Sequence, residues 1–159
     1  MRILIVSDTH HDFDTLYHLV LREKDRIDLL LHLGDGAQDI DDLRAVWPLL
    51  PVRFVRGNCD YTSTAPDTTV VEVDGIRLFL THGHLFNVNY APERLATEAR
   101  QQNASVALFG HTHRQLCRDA FGVQLMNPGS LGKPRDGNRG YGIIEIVQGQ
   151  PVCSLHRIE

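Results

Sequence analysis

The chain has 159 residues and a mass of 17.9 kDa, which is the size of one domain and leaves little room for a second. Its composition, 42% hydrophobic and 23% charged, predicts a packed core and excludes the disordered and collagen-like classes. A net charge of −4 and an isoelectric point near 6.1 argue against a nucleic-acid module held by phosphate contacts. We therefore expect a single domain over residues 1–159.

The sequence carries no pattern typical of membrane insertion or export. Its apolar runs, such as Ile3–Val6 and Leu29–Leu31, are far too short to cross a bilayer. The first residues lack the basic and long apolar regions of a signal peptide. Three cysteines at wide spacings predict neither a disulfide framework nor a cysteine zinc site. The expectation is a cytoplasmic protein without a membrane partner.

The first half of the chain alternates apolar runs with amphipathic segments. The runs Arg2–Ser7, Asp28–Leu33 and Val52–Arg56 predict buried strands. Between them, the spacing of apolar side chains predicts a helix capped by Asp12 and a shorter helix over Ile40–Trp47. This alternation of strands and helices favours parallel strands joined by right-handed crossovers.

The second half is richer in strands. Thr68–Val73 and Ile76–Thr81 flank Asp74-Gly75, which is a strong hairpin signal. A helix over Pro92–Gln102 and a strand over Ser105–Phe109 follow. Four more predicted strands form two hairpins with Gly122 and Gly149 at their turns: Gln115–Asp119, Val123–Met126, Tyr141–Val147 and Pro151–Arg157. The elements together predict an α/β fold in which two mixed β-sheets pack face to face with helices on the outer faces.

Five short polar segments stand directly after predicted strands. In chain order they are Asp8-x-His10, Gly34-Asp35, Gly57-Asn58-Cys59-Asp60, His82-Gly-His84 and Gly110-His111-x-His113. Ligands of open α/β sheets bind beyond the carboxyl ends of the strands, so we expect these segments to converge on one cleft. Residues i and i+2 of an extended chain project to the same side, which predicts that Asp8 pairs with His10, and His111 with His113.

The side chains in these segments have the chemistry of metal ligands. Imidazoles mixed with carboxylates suit Mn²⁺, Fe, Zn²⁺ or Ni²⁺, whereas Ca²⁺ and Mg²⁺ prefer oxygen ligands alone. Three Asp or Asn residues and four histidines exceed the needs of one tetrahedral site and suffice for two ions that share a carboxylate. Such paired ions stabilise both the attacking and the leaving oxygen of a phosphoryl displacement. The sequence therefore predicts two divalent metal ions, with Mn²⁺ as the first choice.

The motifs SDTH, GDG, RGNCD, THGH and GHTH, in this order, resemble the five motifs of the calcineurin-like metallophosphoesterases. The resemblance runs from residue 7 to residue 130, and in its length and GNCD motif the chain is most similar to the small YfcE-type phosphodiesterases. It implies a four-layer αββα sandwich with a dinuclear centre at the strand ends. It also implies the ligands of the two ions, the first held by Asp8, His10, Asp35 and His113, and the second by Asp35, Asn58, His82 and His111.

The activity that the resemblance implies is hydrolysis of phosphodiester bonds by a hydroxide that bridges the two ions, with Asn58 neutralising charge on the phosphoryl oxygens. One position departs from the family pattern. Where many relatives have a histidine that is implicated in protonating the leaving group, this chain has Cys59. Cys59, His11 and His84 are therefore candidate proton donors, and we expect a preference for leaving groups that need little protonation.

Two further polar residues near the motifs have both a structural and a functional interpretation. His32 is either a core histidine bonded to the backbone or a group that orients a metal ligand. Asp60 either orients a metal-bound histidine or is a turn carboxylate satisfied by nearby backbone. The sequence alone leaves both alternatives open.

Three other functions compete with a phosphodiesterase of small substrates. One is a phosphomonoesterase of the same fold, and another is a non-enzymatic, retromer-scaffold-like interaction protein, because a fold alone does not establish catalysis. A nuclease is the third, although the negative charge and the single tryptophan argue against nucleic acid as a partner. Small relatives are often oligomeric, so a homo-oligomer stays open, but no apolar stripe predicts its interface.

Overall fold

The computed structural model, which describes residues 1–158, contains ten strands and three helices. In chain order the elements are β1 (Arg2–Val6), α1 (Phe13–Glu23), β2 (Leu29–His32), α2 (Ala37–Val46), β3 (Val52–Phe54), β4 (Thr68–Val73), β5 (Ile76–Thr81), α3 (Arg94–Gln101), β6 (Val106–Leu108), β7 (Gln115–Ala120), β8 (Val123–Pro128), β9 (Arg139–Val147) and β10 (Gln150–Ile158). The strands form two five-stranded sheets, ordered β10-β9-β1-β2-β3 and β4-β5-β6-β8-β7.

The pairing of the strands confirms the predicted mixture of parallel and antiparallel neighbours. β1 pairs in parallel with β2, Ile3 lying opposite Leu29, and β2 pairs in parallel with β3. The β4–β5, β7–β8 and β9–β10 hairpins are antiparallel. Asp74 and Gly75 have φ values of 47° and 77°, as a two-residue turn with both central residues left-handed requires. In the second sheet, β6 pairs in parallel with β5 and with β8, so both sheets are mixed.

Alternating side chains along β1 produce the layers of the fold. Ile3 and Ile5 lie in the core between the two sheets, whereas Leu4 and Val6 lie in a second core with residues of α1 and α2. A third core packs α3, through residues such as Leu95, against the outer face of the second sheet. The four-layer αββα architecture is confirmed. Among the described residues, no helix has both the length and the apolar character needed to span a membrane.

Some element boundaries differ from the prediction. α2 begins at Ala37, three residues before the predicted Ile40, because the Asp60 carboxylate accepts hydrogen bonds from the N–H groups of Gly36 at 3.0 Å and Ala37 at 2.9 Å. β3 ends at Phe54, two residues before the predicted end at Arg56. The N–H of Arg56 donates to the carbonyl of Pro66 in the following loop and not to a neighbouring strand. Both differences arise from contacts with residues distant along the chain.

The loops that follow the parallel strands lie side by side. The N–H of Asp8, after β1, donates to the carbonyl of Gly34, after β2, at 2.9 Å. In the second sheet, the N–H of Gly110, after β6, donates to the carbonyl of His82, after β5, at 3.0 Å. The polar segments are thereby collected at one edge of the sandwich.

Candidate metal centre

Side chains that can bind a metal converge where the two sheets meet at this edge. Each of three sets of ligand atoms lies within 4.8 Å of one another: Asp8, His10 and His113; Asp8, Asp35 and His82; His10, Asp35 and Cys59. The predicted ligands Asn58 and His111 adjoin these sets. Asn58 Oδ1 lies 3.0 Å from both His82 Nε2 and His111 Nδ1. The structure thus brings together all seven residues that were predicted as ligands.

Asp8 is fully buried and has one carboxylate oxygen without a partner. Its Oδ2 accepts hydrogen bonds from the Ser7 hydroxyl at 2.6 Å and from the His111 N–H at 3.0 Å. Its Oδ1 has no hydrogen-bond partner among the described residues, although His113 Nε2 lies 3.1 Å away. A buried, unpartnered carboxylate oxygen is costly. A cation held between Asp8 Oδ1 and the imidazoles would satisfy this oxygen, so the residues present fit a metal ion.

Both carboxylates at the centre are held in the charged form. Burial would raise the pKa of Asp8, but the neighbouring His10 and His113 imidazoles hold it well below its usual range. Burial opposes ionisation of Asp35 as well, yet the interaction with His82 lowers the pKa of Asp35 to about 2. Two charged carboxylates at neutral pH are the form that binds a cation.

Backbone carbonyls orient two of the histidines. His82 Nδ1 donates to the carbonyl of Leu33 at 2.7 Å, and His113 Nδ1 donates to the carbonyl of Lys133 at 2.7 Å. Because a carbonyl only accepts, Nδ1 of each ring carries a proton, so Nε2, which faces the centre, is the atom that would bind a metal ion. Proteins fix metal-binding histidines by this kind of contact.

Asp35 lies between two groups of candidate ligands. Its Oδ1 accepts the N–H of Cys59 at 2.8 Å. Its Oδ2 lies 3.6 Å from His10 Nε2 and 3.4 Å from His82 Nε2. We assign His10 to a first group with Asp8 and His113, and His82 to a second group with Asn58 and His111; Asp8 Oδ1 also lies 3.9 Å from His82 Nε2. Oδ2 therefore faces both groups at once.

The backbone at the centre is left-handed and not extended, so the reason given for pairing residues i and i+2 is wrong. Asp8 and His10 nevertheless lie in one ligand set, as predicted, whereas His111 and His113 face different residues. Asp8 and His10 have φ values of 54° and 47°, and His111 and His113 have values of 67° and 58°. His111 therefore faces Asn58, while His113 faces Asp8 in the other group. Each such non-glycine residue costs on the order of 1–3 kcal/mol. Strain is thus concentrated at the site, where tertiary contacts hold these residues in place.

Two glycines allow the backbone to approach the carboxylates closely. A Cβ atom on Gly57 would lie 2.1 Å from Asp35 Oδ1, and one on Gly110 would lie 2.6 Å from Asp8 Oδ2. Real Cβ atoms do not come so close to other heavy atoms. These two positions therefore require glycine for the carboxylates to keep their places.

Asp60 satisfies backbone rather than a histidine. Its carboxylate accepts four N–H groups, those of Asp35 at 2.7 Å, Gly57 at 2.8 Å, Ala37 and Gly36. The interpretation as a turn carboxylate holds, but its partners come from two separate loops. In the sequence, the signal that could have identified these N–H groups is the set of glycines around them, Gly34, Gly36 and Gly57.

His32 is a buried core histidine. Its Nδ1 accepts the N–H of Gly34 at 3.1 Å, and its Nε2 lies 3.2 Å from Thr9 Oγ1. The Thr9 hydroxyl donates in turn to the carboxylate of Asp39. Complete burial lowers the pKa of His32 to about 4, so the ring is neutral at neutral pH. Its hydrogen bonds go to the loops after β1 and β2, and none of them goes to a candidate ligand.

Among the candidate proton donors, Cys59 lies beside the ligands. It is exposed, and its Sγ lies within 4.8 Å of ligand atoms of His10 and Asp35. Partial burial of the sulfur atom and the negative charge of Asp35 raise the pKa of the thiol. The thiol therefore stays protonated at neutral pH but is a weak acid.

The other two candidate donors lie at the margin of the centre. His84 is half-buried, with its ring centroid 5.5 Å from that of His82, and its buried Nδ1 has no hydrogen-bond partner among the described residues. Burial, followed by the nearby His82, lowers the pKa of His84. His11 is exposed, and its backbone N–H donates to Asp39 at 3.1 Å.

A cavity of about 770 Å³ opens from one side of the centre. The end of the cavity at the centre is lined by the candidate ligands His10 and Asp35 and by the candidate proton donors His11 and Cys59. Its walls are α2 on one side and residues 59–66 on the other. The centre is thus accessible from solvent through a space larger than a phosphate group.

Comparisons with known proteins agree with the geometry. The calcineurin-like phosphoesterase superfamily domain matches residues 1–149. The probable metallophosphoesterase YsnB of Bacillus subtilis is 31% identical over 136 residues, which cover 85% of this chain and 78% of that protein. The solved structure of YfcE, a phosphoesterase from Escherichia coli, superposes with a TM-score of 0.72 at 29% identity, covering 91% of this chain and 88% of that chain.

Vps29 from Chaetomium thermophilum is also similar in structure. Its TM-score is 0.78 at 21% identity, over 99% of this chain and 95% of that chain. At this identity the similarity shows a shared fold alone. The match to the family domain, in contrast, extends over nearly the whole sequence and includes every segment that meets at the centre. The chain therefore belongs to the calcineurin-like phosphoesterase superfamily.

Proposed function

We propose that this chain is a phosphodiesterase that hydrolyses small phosphodiesters at a dinuclear metal centre. The observation that carries the proposal is the position of Asp35 Oδ2, which faces His10 at 3.6 Å on one side and His82 at 3.4 Å on the other. A carboxylate in this position suits two ions that share it. The ions would be held by two sets of residues: Asp8, His10, Asp35 and His113; Asp35, Asn58, His82 and His111.

The donor chemistry favours a transition metal. Four imidazoles among the seven side chains suit Mn²⁺, Fe, Zn²⁺ or Ni²⁺ better than Ca²⁺ or Mg²⁺. We take Mn²⁺ as the first ion to test. Divalent cations bound at this site would supply Lewis-acid chemistry for the activation of water and for charge neutralisation at the phosphoryl group.

The protein's own groups would bind and orient the phosphodiester. Asn58 is exposed, and its Nδ2 has only a 3.6 Å contact with Cys59 Sγ, so its amide hydrogens remain available to a phosphoryl oxygen. The leaving oxygen would take its proton from the Cys59 thiol or from solvent. Because this thiol is a weak acid, esters with acidic leaving groups should react faster.

A comparison of a diester with a monoester tests the proposed reaction. Chelator-treated protein should be inactive, and after reloading with Mn²⁺ it should hydrolyse bis(p-nitrophenyl) phosphate at least about tenfold faster than p-nitrophenyl phosphate. Asp35→Asn should abolish this activity. The matched control Asp42→Asn, an exposed carboxylate on α2, should retain it. Support for a diesterase also comes from the relative YfcE, which is named a phosphodiesterase.

The two alternatives give different results in the same experiment. Faster hydrolysis of the monoester would identify a phosphomonoesterase. Tight metal binding without hydrolysis of either ester would favour a protein-interaction role, which the fold shared with Vps29 makes a relevant second candidate.

A further inference from the structure

The cavity beside the metal centre has the size of a small-molecule site. Its volume of about 770 Å³ lies within the roughly 300–1,000 Å³ that such sites occupy. Asp35 and Cys59 line the end next to the centre, and Arg44 lines α2 further along. Arg44 follows Gly36 by eight residues, which corresponds to about 12 Å along the helix axis. A phosphate at the centre would therefore leave most of the cavity for the group esterified to it.

Tyr61 lies on the wall formed by residues 59–66. Its side chain is 87% exposed although it lines the cavity. An exposed aromatic ring at the wall of a cavity offers a stacking face to a planar ligand. Phe54, which is half-buried, adds apolar surface to the lining. The cavity therefore favours a ligand with a flat, partly apolar ring.

Polar groups complete the lining. Ser63 and Thr64 present hydroxyls beside Tyr61, and Ser63 Oγ accepts the N–H of Ala65 at 3.2 Å, which leaves its own O–H free to donate. The Arg44 guanidinium is half exposed, and its ion pair with Asp41 spans 3.7 Å. A surface pair of this length contributes little, so Arg44 remains available to a ligand.

We propose that this cavity binds the nucleoside of a small phosphodiester, with the base stacked on Tyr61, the sugar near Ser63 and Thr64, and Arg44 at the base edge. This inference rests on the proposed function, because the phosphate of the same molecule must occupy the metal centre. One exposed ring provides a stacking platform for one base. Together with the net charge of −4, this favours a mononucleotide unit over a nucleic-acid strand.

Calorimetric titration of the Mn²⁺-loaded protein with adenosine 5′-monophosphate and with methyl phosphate measures the contribution of the nucleoside without turnover. We expect the nucleotide to bind at least about tenfold more tightly than methyl phosphate. Tyr61→Ala should remove most of this ratio, and Tyr61→Phe should preserve it, because the ring and not the hydroxyl stacks. Tyr61 is exposed, so its replacement should not disturb folding.

Tyr90→Ala is the matched control, because Tyr90 is 86% exposed and does not line the cavity. It should leave the affinity ratio of the two ligands unchanged. Equal affinities in the wild type, or the same ratio in Tyr61→Ala as in the wild type, would overturn the nucleoside site while leaving the phosphate-binding centre intact. If neither ligand binds, both the proposed function and this inference fail.

Discussion

The carboxylate of Asp60 holds the backbone of Asp35, accepting its N–H at 2.7 Å across 25 residues of sequence. The same Oδ2 atom accepts the N–H of Gly57 at 2.8 Å, so the loop after β2 is tied to the loop after β3. The Asp35 side chain then faces His10 and His82. Asp60 thereby positions the carboxylate on which the proposed two-ion centre depends.

Replacing Asp60 should therefore affect both stability and metal affinity. Asp60→Asn keeps one acceptor oxygen and places an amide against N–H groups, so we expect a loss of about 2–4 kcal/mol in the free energy of unfolding. The affinity for Mn²⁺ should fall about 10–100-fold. Urea denaturation and metal titration measure the two effects. Asp42→Asn serves as the exposed control, and a metal affinity unchanged in Asp60→Asn would show that Asp60 does not position the centre.

The carboxylate of Asp8 predicts a loss of metal-dependent stabilisation when it is removed. Without metal, Asp8→Asn should melt at a lower temperature than the wild type, because the ionised carboxylate loses its interactions with the His10 and His113 imidazoles. With Mn²⁺ at a hundred times its dissociation constant, the wild type should gain about 2.7 kcal/mol for each ion bound, and the variant much less. Thermal melts with and without Mn²⁺ measure this. Equal gains in both proteins would contradict a ligand role for Asp8.

The buried, neutral His32 predicts a loss of stability in acid. Burial lowers its folded-state pKa to about 4, whereas an unfolded histidine titrates near 6.5. As the pH falls, the unfolded chain therefore binds a proton before the folded chain does. The stability that the neutral His32 contributes is present in full above pH 6.5 and is lost as the pH falls to about 4. The loss amounts to about 3 kcal/mol.

Comparison with His32→Gln isolates this effect from the titration of carboxylates. The difference in unfolding free energy between wild type and variant, measured with urea at pH 7, 5.5 and 4, should shrink as the pH falls. The exposed His18→Gln is the control and should follow the wild type. Parallel curves for wild type and His32→Gln would exclude a neutral, buried His32.

Cys59 in place of the family's histidine predicts a strong dependence of rate on the leaving group. Across a series of aryl methyl phosphates, kcat/KM of the wild type should fall steeply as the leaving-group pKa rises. Cys59→His should flatten this slope and accelerate the least acidic leaving group about 10²-fold, because an imidazole is a much better proton donor near neutral pH. Cys59→Ser should keep the wild-type slope. A flat dependence in the wild type would contradict this account.

Local sequence patterns were sufficient to predict the succession of strands and helices along the chain and the polar segments that gather at the centre. Apolar runs such as β1 end at short polar segments with glycines, and parallel strands bring those segments to one edge. The left-handed backbone at Asp8 and His10 was not predictable in this way, because it depends on tertiary hydrogen bonds such as that from the Asp8 N–H to the Gly34 carbonyl.

The early start of α2 and the cavity beside it were likewise beyond local patterns. Asp60 caps the first turn of α2 from a different loop, so the helix begins where no residue of its own sequence marks a cap. Tyr61 follows Asp60 directly and reaches the cavity wall only because that loop folds against α2. No pattern in the sequence around Tyr61 predicts a ligand-binding role for it.

The count of metal ions per chain tests the central claim most directly. Metal-free protein equilibrated with Mn²⁺ and analysed by elemental analysis should contain two ions per chain. His111→Ala should retain one ion, because His111 lies in only one of the two groups around Asp35. Asp35→Asn should bind both ions more weakly. A wild-type stoichiometry of one or zero, or two ions held equally well by Asp35→Asn, would contradict a centre built on this shared carboxylate.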